Sequence, residues 1–266
     1  MGLKLFSRMA HPTVKSFAIS NELSVSLADL VVELSKESIK SRDRFTIGLS
    51  GGSLPKLLGA DLKNRKGVEW DKWEVFFCDE RIVPLDHEDS NYLVCKKELF
   101  DHVPILPEKI HTIKPELASE NEVKEGDEET IDAVTENYEQ QLIDFFACAK
   151  SIKFPVFDLL LLGIGPDGHT CSLFPGHPLL DENILWVAYI GDSPKPPPRR
   201  VTLTLPVINH ARNVAFVATG SGKQDILYQI FEVPDSNLPA QLVKPENGKL
   251  YWFLDDAASS KLTLPK

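Results

Sequence analysis

The chain has no C-x-x-C pair among its four cysteines, no apolar run of membrane length and no basic stripe interleaved with aromatics. Each absence excludes something. Cys78, Cys95, Cys148 and Cys171 sit in apolar or helical stretches. They read as reduced thiols rather than as a disulfide framework or a zinc site, and no metal is expected. Without a membrane-length run, no membrane partner is expected. Without clustered cations, no nucleic-acid partner is expected either. A Walker A loop and a G-x-S-x-G elbow are also missing, so neither ATP nor a serine nucleophile is indicated. Residues 1–12 hold two basic residues and no acid, but no apolar core for a secretory signal. They are expected to be a disordered start. No internal repeat or linker divides the rest, so residues 13–266 are expected to form one domain.

What is present suits that size. The chain has 266 residues and is 42% hydrophobic, ordinary for a soluble α/β protein. Its net charge of −10 misleads, because residues 116–136 hold nine acids against one lysine. That segment carries −8, which leaves −2 for the remainder. It reads as a solvated loop and helix start. The rest of the molecule is free to build a local cationic pocket.

Apolar patterning alternates between strand and helix. Strands are expected at 14–19, 45–49, 73–78 running into Asp79-Glu80-Arg81, 157–162, 184–190, 201–205, 214–219 and 250–254. Helices are expected at 21–39, from Pro55 onward, 90–100, 128–149, after Gly220 through Glu232, and 255–261. The alternation predicts a single doubly wound, Rossmann-like α/β domain with a mainly parallel sheet.

The most informative run is DLLLLGIGPDGHTCSLFPG, Asp158 to Gly176. Four leucines make a strand buried on both faces. Gly163, Gly165 and Gly168 then let the chain turn sharply, and Asp167 and His169 arrive at the strand's C-terminal end. Open α/β sheets bind ligands there. The three glycines satisfy G-x-G-x-x-G, but Pro166 interrupts the turn and Pro175 limits any following helix. Dinucleotide binding is therefore not expected. His169, the side chain titrating nearest neutrality, is the candidate base. Two further glycine-rich loops follow strands. Ser50-Gly51-Gly52-Ser53 offers backbone N–H groups and hydroxyls to an anion at a helix start. Gly220-Ser221-Gly222-Lys223 places a cation in the first turn of a helix, unfavourable against the dipole unless an anion compensates it. Arg81 and Arg200 are further anion-binding candidates, since guanidinium forks match phosphate oxygens. The stiff SPKPPPRR run could hold Arg199 and Arg200 in place; Arg199 is read as a surface cation.

Together, GLSGGSLPKLL, FFCDERIVPLDHEDSNY, FDLLLLGIGPDGHTCSLFPGHPLL, SPKPPPRRVTLTLP and FVATGSGK resemble the 6-phosphogluconolactonase family, and most of all its animal form. The resemblance implies hydrolysis of 6-phospho-D-glucono-1,5-lactone to 6-phospho-D-gluconate in the pentose phosphate pathway. It implies a cytoplasmic enzyme with no cofactor, a small-molecule phosphorylated sugar lactone as its partner, and a fold similar to glucosamine-6-phosphate deaminase. The chain is expected to act as a monomer. The resemblance makes His169 the general base with Asp167 as its orienter. It assigns the phosphate and substrate contacts to Ser50, Gly51, Gly52, Ser53, Asp79, Arg81, Arg200 and Lys223. The rival readings are a deaminase/isomerase on the same fold and a non-catalytic sugar-phosphate sensor. Deaminases resemble this chain at D-G-H but carry a glutamate five residues beyond the histidine. Here that position is Phe174.

Overall fold

The computed structural model describes residues 12–114, 128–147 and 152–263. The expected disordered start up to residue 11, the acidic segment up to residue 127, and Cys148 lie outside them.

Six strands form one all-parallel sheet: β1 (Thr13–Phe17), β2 (Phe45–Leu49), β3 (Trp73–Phe77), β5 (Leu159–Leu162), β8 (Asn213–Ala218) and β9 (Lys249–Asp255). Their order is β1-β9-β8-β5-β2-β3. β2, β3, β5 and β8 are buried at every position, which fits strands covered on both faces. The remaining strands, β4 (Asp79–Arg81), β6 (Val187–Ile190) and β7 (Arg200–Leu203), form a small antiparallel sheet in the order β4-β7-β6.

Helices follow the apolar periodicity. In α1 (Ser20–Arg42), Leu23, Leu27, Leu30, Val31 and Leu34 are buried on one face. This helix packs on β1, β2 and β9 and against α2 (Leu54–Leu62), whose first turn carries Pro55 where no N–H partner is lost. In chain order the others are α3 (Asn91–Glu98), α4 (Glu128–Phe146), α5 (Leu205–Asn209), α6 (Gln224–Glu232), α7 (Pro239–Leu242) and α8 (Asp256–Ser259). From α4, the buried Tyr138 hydroxyl accepts from Phe77 N–H at 2.7 Å and donates to Phe77 C=O at 2.9 Å. The edge strand β3 thus ends with its backbone satisfied by a side chain.

One sequence expectation fails instructively. Asp79-Glu80-Arg81 is not the tail of β3. At Cys78 the N–H bonds Leu49 in the large sheet, while the C=O accepts from Leu203 in the small one. The chain changes sheets at that residue, and apolar pattern alone carries no record of which partner a strand will find. The run after His169 forms no helix; an isolated bridge pairs Thr170 with Leu173.

Candidate functional site

The strand order reverses between β2 and β5. From β2 the chain moves outward to β3; from β5 it returns toward β8 and β9. The crevice above such neighbours is the topological switch point, where open α/β sheets take ligands. The SGGS loop leaves β2 there and the GIGPDGH loop leaves β5. The GSGK loop arrives from β8, and β4 and β7 close the side. Ser50, Gly51, Gly52, Ser53, Asp79 and Arg81 line one cavity of about 260 Å³ with His169, Arg200 and Lys223. Of the residues expected at the site, only Asp167 stands back from the wall, behind His169.

Two glycines of the site leave no room for a side chain. A Cβ on Gly51 would lie 1.8 Å from Asn91 Oδ1. A Cβ on Gly165 would lie 2.0 Å from His169 Nδ1 and 2.5 Å from Asp167 Oδ1. Both backbones are pressed against side chains that shape the site.

The cations are arranged as no folding force would arrange them. Arg81 and Arg200 stand directly opposite in the antiparallel β4–β7 pair, where like charges destabilise. Arg200 is only 3% exposed. Burial and the nearby Arg81 charge both lower its pKa. Its Nε donates to Pro197 C=O at 2.8 Å, and its Nη2 donates to Lys195 C=O at 2.8 Å and Pro196 C=O at 3.3 Å. The proline-rich run does hold this arginine. Arg81 donates through Nη1 to Asp89 C=O at 2.7 Å, yet among the described residues its buried Nε has no partner, and neither has the buried Ser50 Oγ. Both residues line the cavity, and a buried polar atom left unpaired on each is a cost that a ligand there could offset. Lys223 sits in a single 3-10 turn just before α6 and donates to Ile164 C=O at 2.6 Å. Burial and the Lys195 charge lower its pKa.

Glu80 fastens this wall. Its buried carboxylate accepts from the backbone N–H groups of Arg81, Asn91 and Tyr92, joining β4 to the first turn of α3. Burial pushes its pKa up to about 7 despite those bonds. Asn91 donates to Asp79 C=O at 2.8 Å, and Asp79 Oδ2 accepts from Ser172 Oγ at 2.8 Å. Asp79 is thus committed to the frame, with its edge on the cavity. Asp255, at the end of β9, accepts from Gly220 N–H through both oxygens at 3.0 Å and holds the GSGK loop.

His169 Nδ1 lies 2.5 Å from Asp167 Oδ1, and the imidazole packs on Phe174 with ring centroids 4.7 Å apart. Burial lowers the histidine's pKa, with Asp167 opposing. Burial raises the Asp167 pKa, but the bond and charge of His169 outweigh it and hold the carboxyl below its usual range. A carboxylate on Nδ1 fixes the tautomer that leaves Nε2 basic. Phe174, five residues beyond His169, covers the imidazole with an apolar ring. Sequence reading did not find Lys195, Asn91, Glu80 or Asp255 as contributors. For the last, an aspartate at a strand end was the available signal.

Fold and site together define an α/β protein with a cation-lined cavity at the carboxyl ends of a parallel sheet. A family model described as glucosamine-6-phosphate isomerases/6-phosphogluconolactonase matches residues 19–252. The chain is 52% identical over 252 residues to a probable 6-phosphogluconolactonase of Schizosaccharomyces pombe, covering 94% of this chain and 96% of that protein. It is 46% identical over 258 residues to the Homo sapiens 6-phosphogluconolactonase, covering 95% and 94%. A solved 6-phosphogluconolactonase from Trypanosoma cruzi superposes with a TM-score of 0.83 at 27% identity, over 97% of this chain and 100% of that one. The chain belongs to the glucosamine-6-phosphate isomerase/6-phosphogluconolactonase family. The likeness extends beyond animals, since the fission-yeast protein is more similar than the human one.

Proposed function

We propose that this chain hydrolyses 6-phospho-D-glucono-1,5-lactone to 6-phospho-D-gluconate, with His169 as general base. The observation that carries the reading is one cavity lined both by the facing Arg81 and Arg200, with unpartnered donors beside them, and by a histidine held by a carboxylate. The cations and the Ser50–Ser53 loop take the phosphate. Charge-assisted bonds to such a group contribute about 1.5–3 kcal/mol each.

The lactone ring then lies against His169. Neutral Nε2 takes a proton from water as the oxygen attacks the lactone carbonyl. Asp167 stabilises the imidazolium that forms. Collapse of the tetrahedral intermediate breaks the bond to the ring oxygen, which receives the proton back from Nε2. The acid formed ionises to the carboxylate. Backbone N–H groups of Gly51, Gly52 or Gly165 are the candidates for the oxyanion.

The chemistry needs no redox partner and no electrophilic cofactor. Among the described residues no helix is long and apolar enough to cross a membrane, and we place the enzyme in the cytoplasm, acting as a monomer. The test is turnover of freshly generated 6-phosphogluconolactone, with spontaneous hydrolysis subtracted. Turnover well above that background is the expected result. A rate equal to background, with the sugar phosphate still bound, would leave a sensor. Release of ammonia from glucosamine 6-phosphate instead would identify a deaminase.

A further inference from the structure

Lys195 does not line the cavity, yet its Nζ lies 3.3 Å from Asp167 Oδ1 and 3.4 Å from His169 Nδ1. Its backbone is fixed from two sides. Ser193 Oγ donates to Lys195 C=O at 2.9 Å and accepts from Lys195 N–H at 3.2 Å. From the other side, Arg200 takes three successive carbonyls, those of Lys195, Pro196 and Pro197. One guanidinium therefore clamps the strap that carries the lysine, and the same guanidinium lines the cavity. We propose that Lys195 is a positioning residue that keeps His169 in its base form, and that Arg200 ties this setting to the anion-binding wall through the strap.

Asp167 and Asp79 favour the imidazolium, whereas Lys195 opposes it. Phe174 covers the ring with an apolar face. An imidazole between two carboxylates and without the ammonium would hold its proton to higher pH. A base already protonated takes no proton from water. Lys195 also shares the Asp167 oxygen that bonds Nδ1, so it fixes where that oxygen stands. The catalytic meaning rests on the lactonase reading; the titration of His169 does not.

The experiment is an NMR titration of the His169 ring in the full chain, beside the pH profile of kcat/KM on 6-phosphogluconolactone. Wild type is compared with Lys195→Met, Lys195→Arg and Arg200→Lys. In Lys195→Met the His169 midpoint and the acid limb should move together to higher pH, with a larger loss of activity below the limb than on the plateau. Lys195→Arg should bring both back toward wild type. Arg200→Lys, with no phosphate present, should move the midpoint the same way by a smaller amount. An unchanged midpoint in Lys195→Met, or no recovery with arginine, overturns the role of the lysine. An unchanged midpoint in Arg200→Lys overturns the coupling through the strap. Should Lys195→Met fail to fold, Lys195→Gln gives the same readings. If the wild-type chain does not hydrolyse the lactone, the functional reading fails while the titration still decides this one.

Discussion

Both ends of the parallel sheet bury charge, and they do so in opposite ways. At the N-terminal ends of the strands, Asp158 precedes β5 and is almost fully buried. It accepts from Arg42 Nη2 at 2.8 Å, from Thr46 N–H at 2.9 Å and from Thr46 Oγ1 at 3.0 Å, with Arg212 Nε at 3.4 Å. Each carboxylate oxygen has a hydrogen-bond donor and a second cation or donor beside it, all supplied by the protein. At the C-terminal ends, Arg81 faces Arg200 across a strand pair, and two donors stay unmatched. A saturated cluster ties strands together. An unsaturated one spends folding energy and awaits a partner. The difference separates architecture from site without reference to any relative.

The comparison is broken most severely at the base. His169→Asn keeps size and some hydrogen bonding but removes the proton acceptor, and turnover should fall about 10²–10⁴-fold with little change in phosphate affinity. The sign of the pH dependence follows from the burial of the ring. Because burial lowers the His169 pKa below its ordinary 6.5, the base form persists as pH falls past that value. Wild-type turnover should hold there and decline only at lower pH. A limb above the ordinary histidine value contradicts this.

The opposite end should respond in stability alone. Asp158→Ala leaves the Thr46 donors and the one-third-exposed Arg42 without their acceptor, at a cost of about 1–3 kcal/mol in urea unfolding, while kcat per folded molecule stays at the wild-type level. A comparable loss of kcat would mean that the saturated cluster is not merely architectural.

Arg200→Ala sharpens the contrast. It should lower kcat/KM on the phosphorylated lactone roughly 10- to 150-fold, the equivalent of one charge-assisted contact. It should also abolish the rise in Tm that inorganic phosphate gives the wild type. Arg212→Ala, at the saturated end, should keep that rise. The reverse pattern would relocate the anion site.

Glu80 gives an effect seen only in how stability depends on pH. Its pKa of about 7 stands above the ordinary 4.5, so the folded state holds this proton more tightly than the unfolded one. Its contribution to stability is full below 4.5 and is lost as pH rises through 7. The slope is at most about 1.4 kcal/mol per pH unit. Unfolding of wild type and Glu80→Gln at pH 5 and pH 7 measures it, and the variant should show the flatter dependence. Equal slopes would remove Glu80 as the source.

The parts of the site that follow strands were legible before any coordinates. Ser50–Ser53, Asp167 and His169, and Lys223 each sit where a bounded apolar run meets glycine. Strand ends of parallel sheets converge, so local pattern sufficed. Lys195, Asn91 and Glu80 were not legible as contributors, because each matters through a residue distant in sequence. Lys195 reaches Asp167 across 28 positions and Asn91 reaches Asp79 across 12. The small antiparallel sheet was hidden for the same reason. Asp79–Arg81 reads as the end of a strand until Thr202 and Arg200 are known to lie opposite. The cross-strand arginine pair, the strongest physical sign of an anion site, therefore exists only in the fold.

A crystal structure of the chain with 6-phosphogluconate decides where the anion lies. The phosphate is expected between Arg81 and Arg200, within hydrogen-bond reach of Ser50 and Lys223, with the carboxylate end of the sugar against His169. A phosphate at the Arg42 and Arg212 end, or a reversed molecule with its carboxylate on the arginine pair, would contradict it.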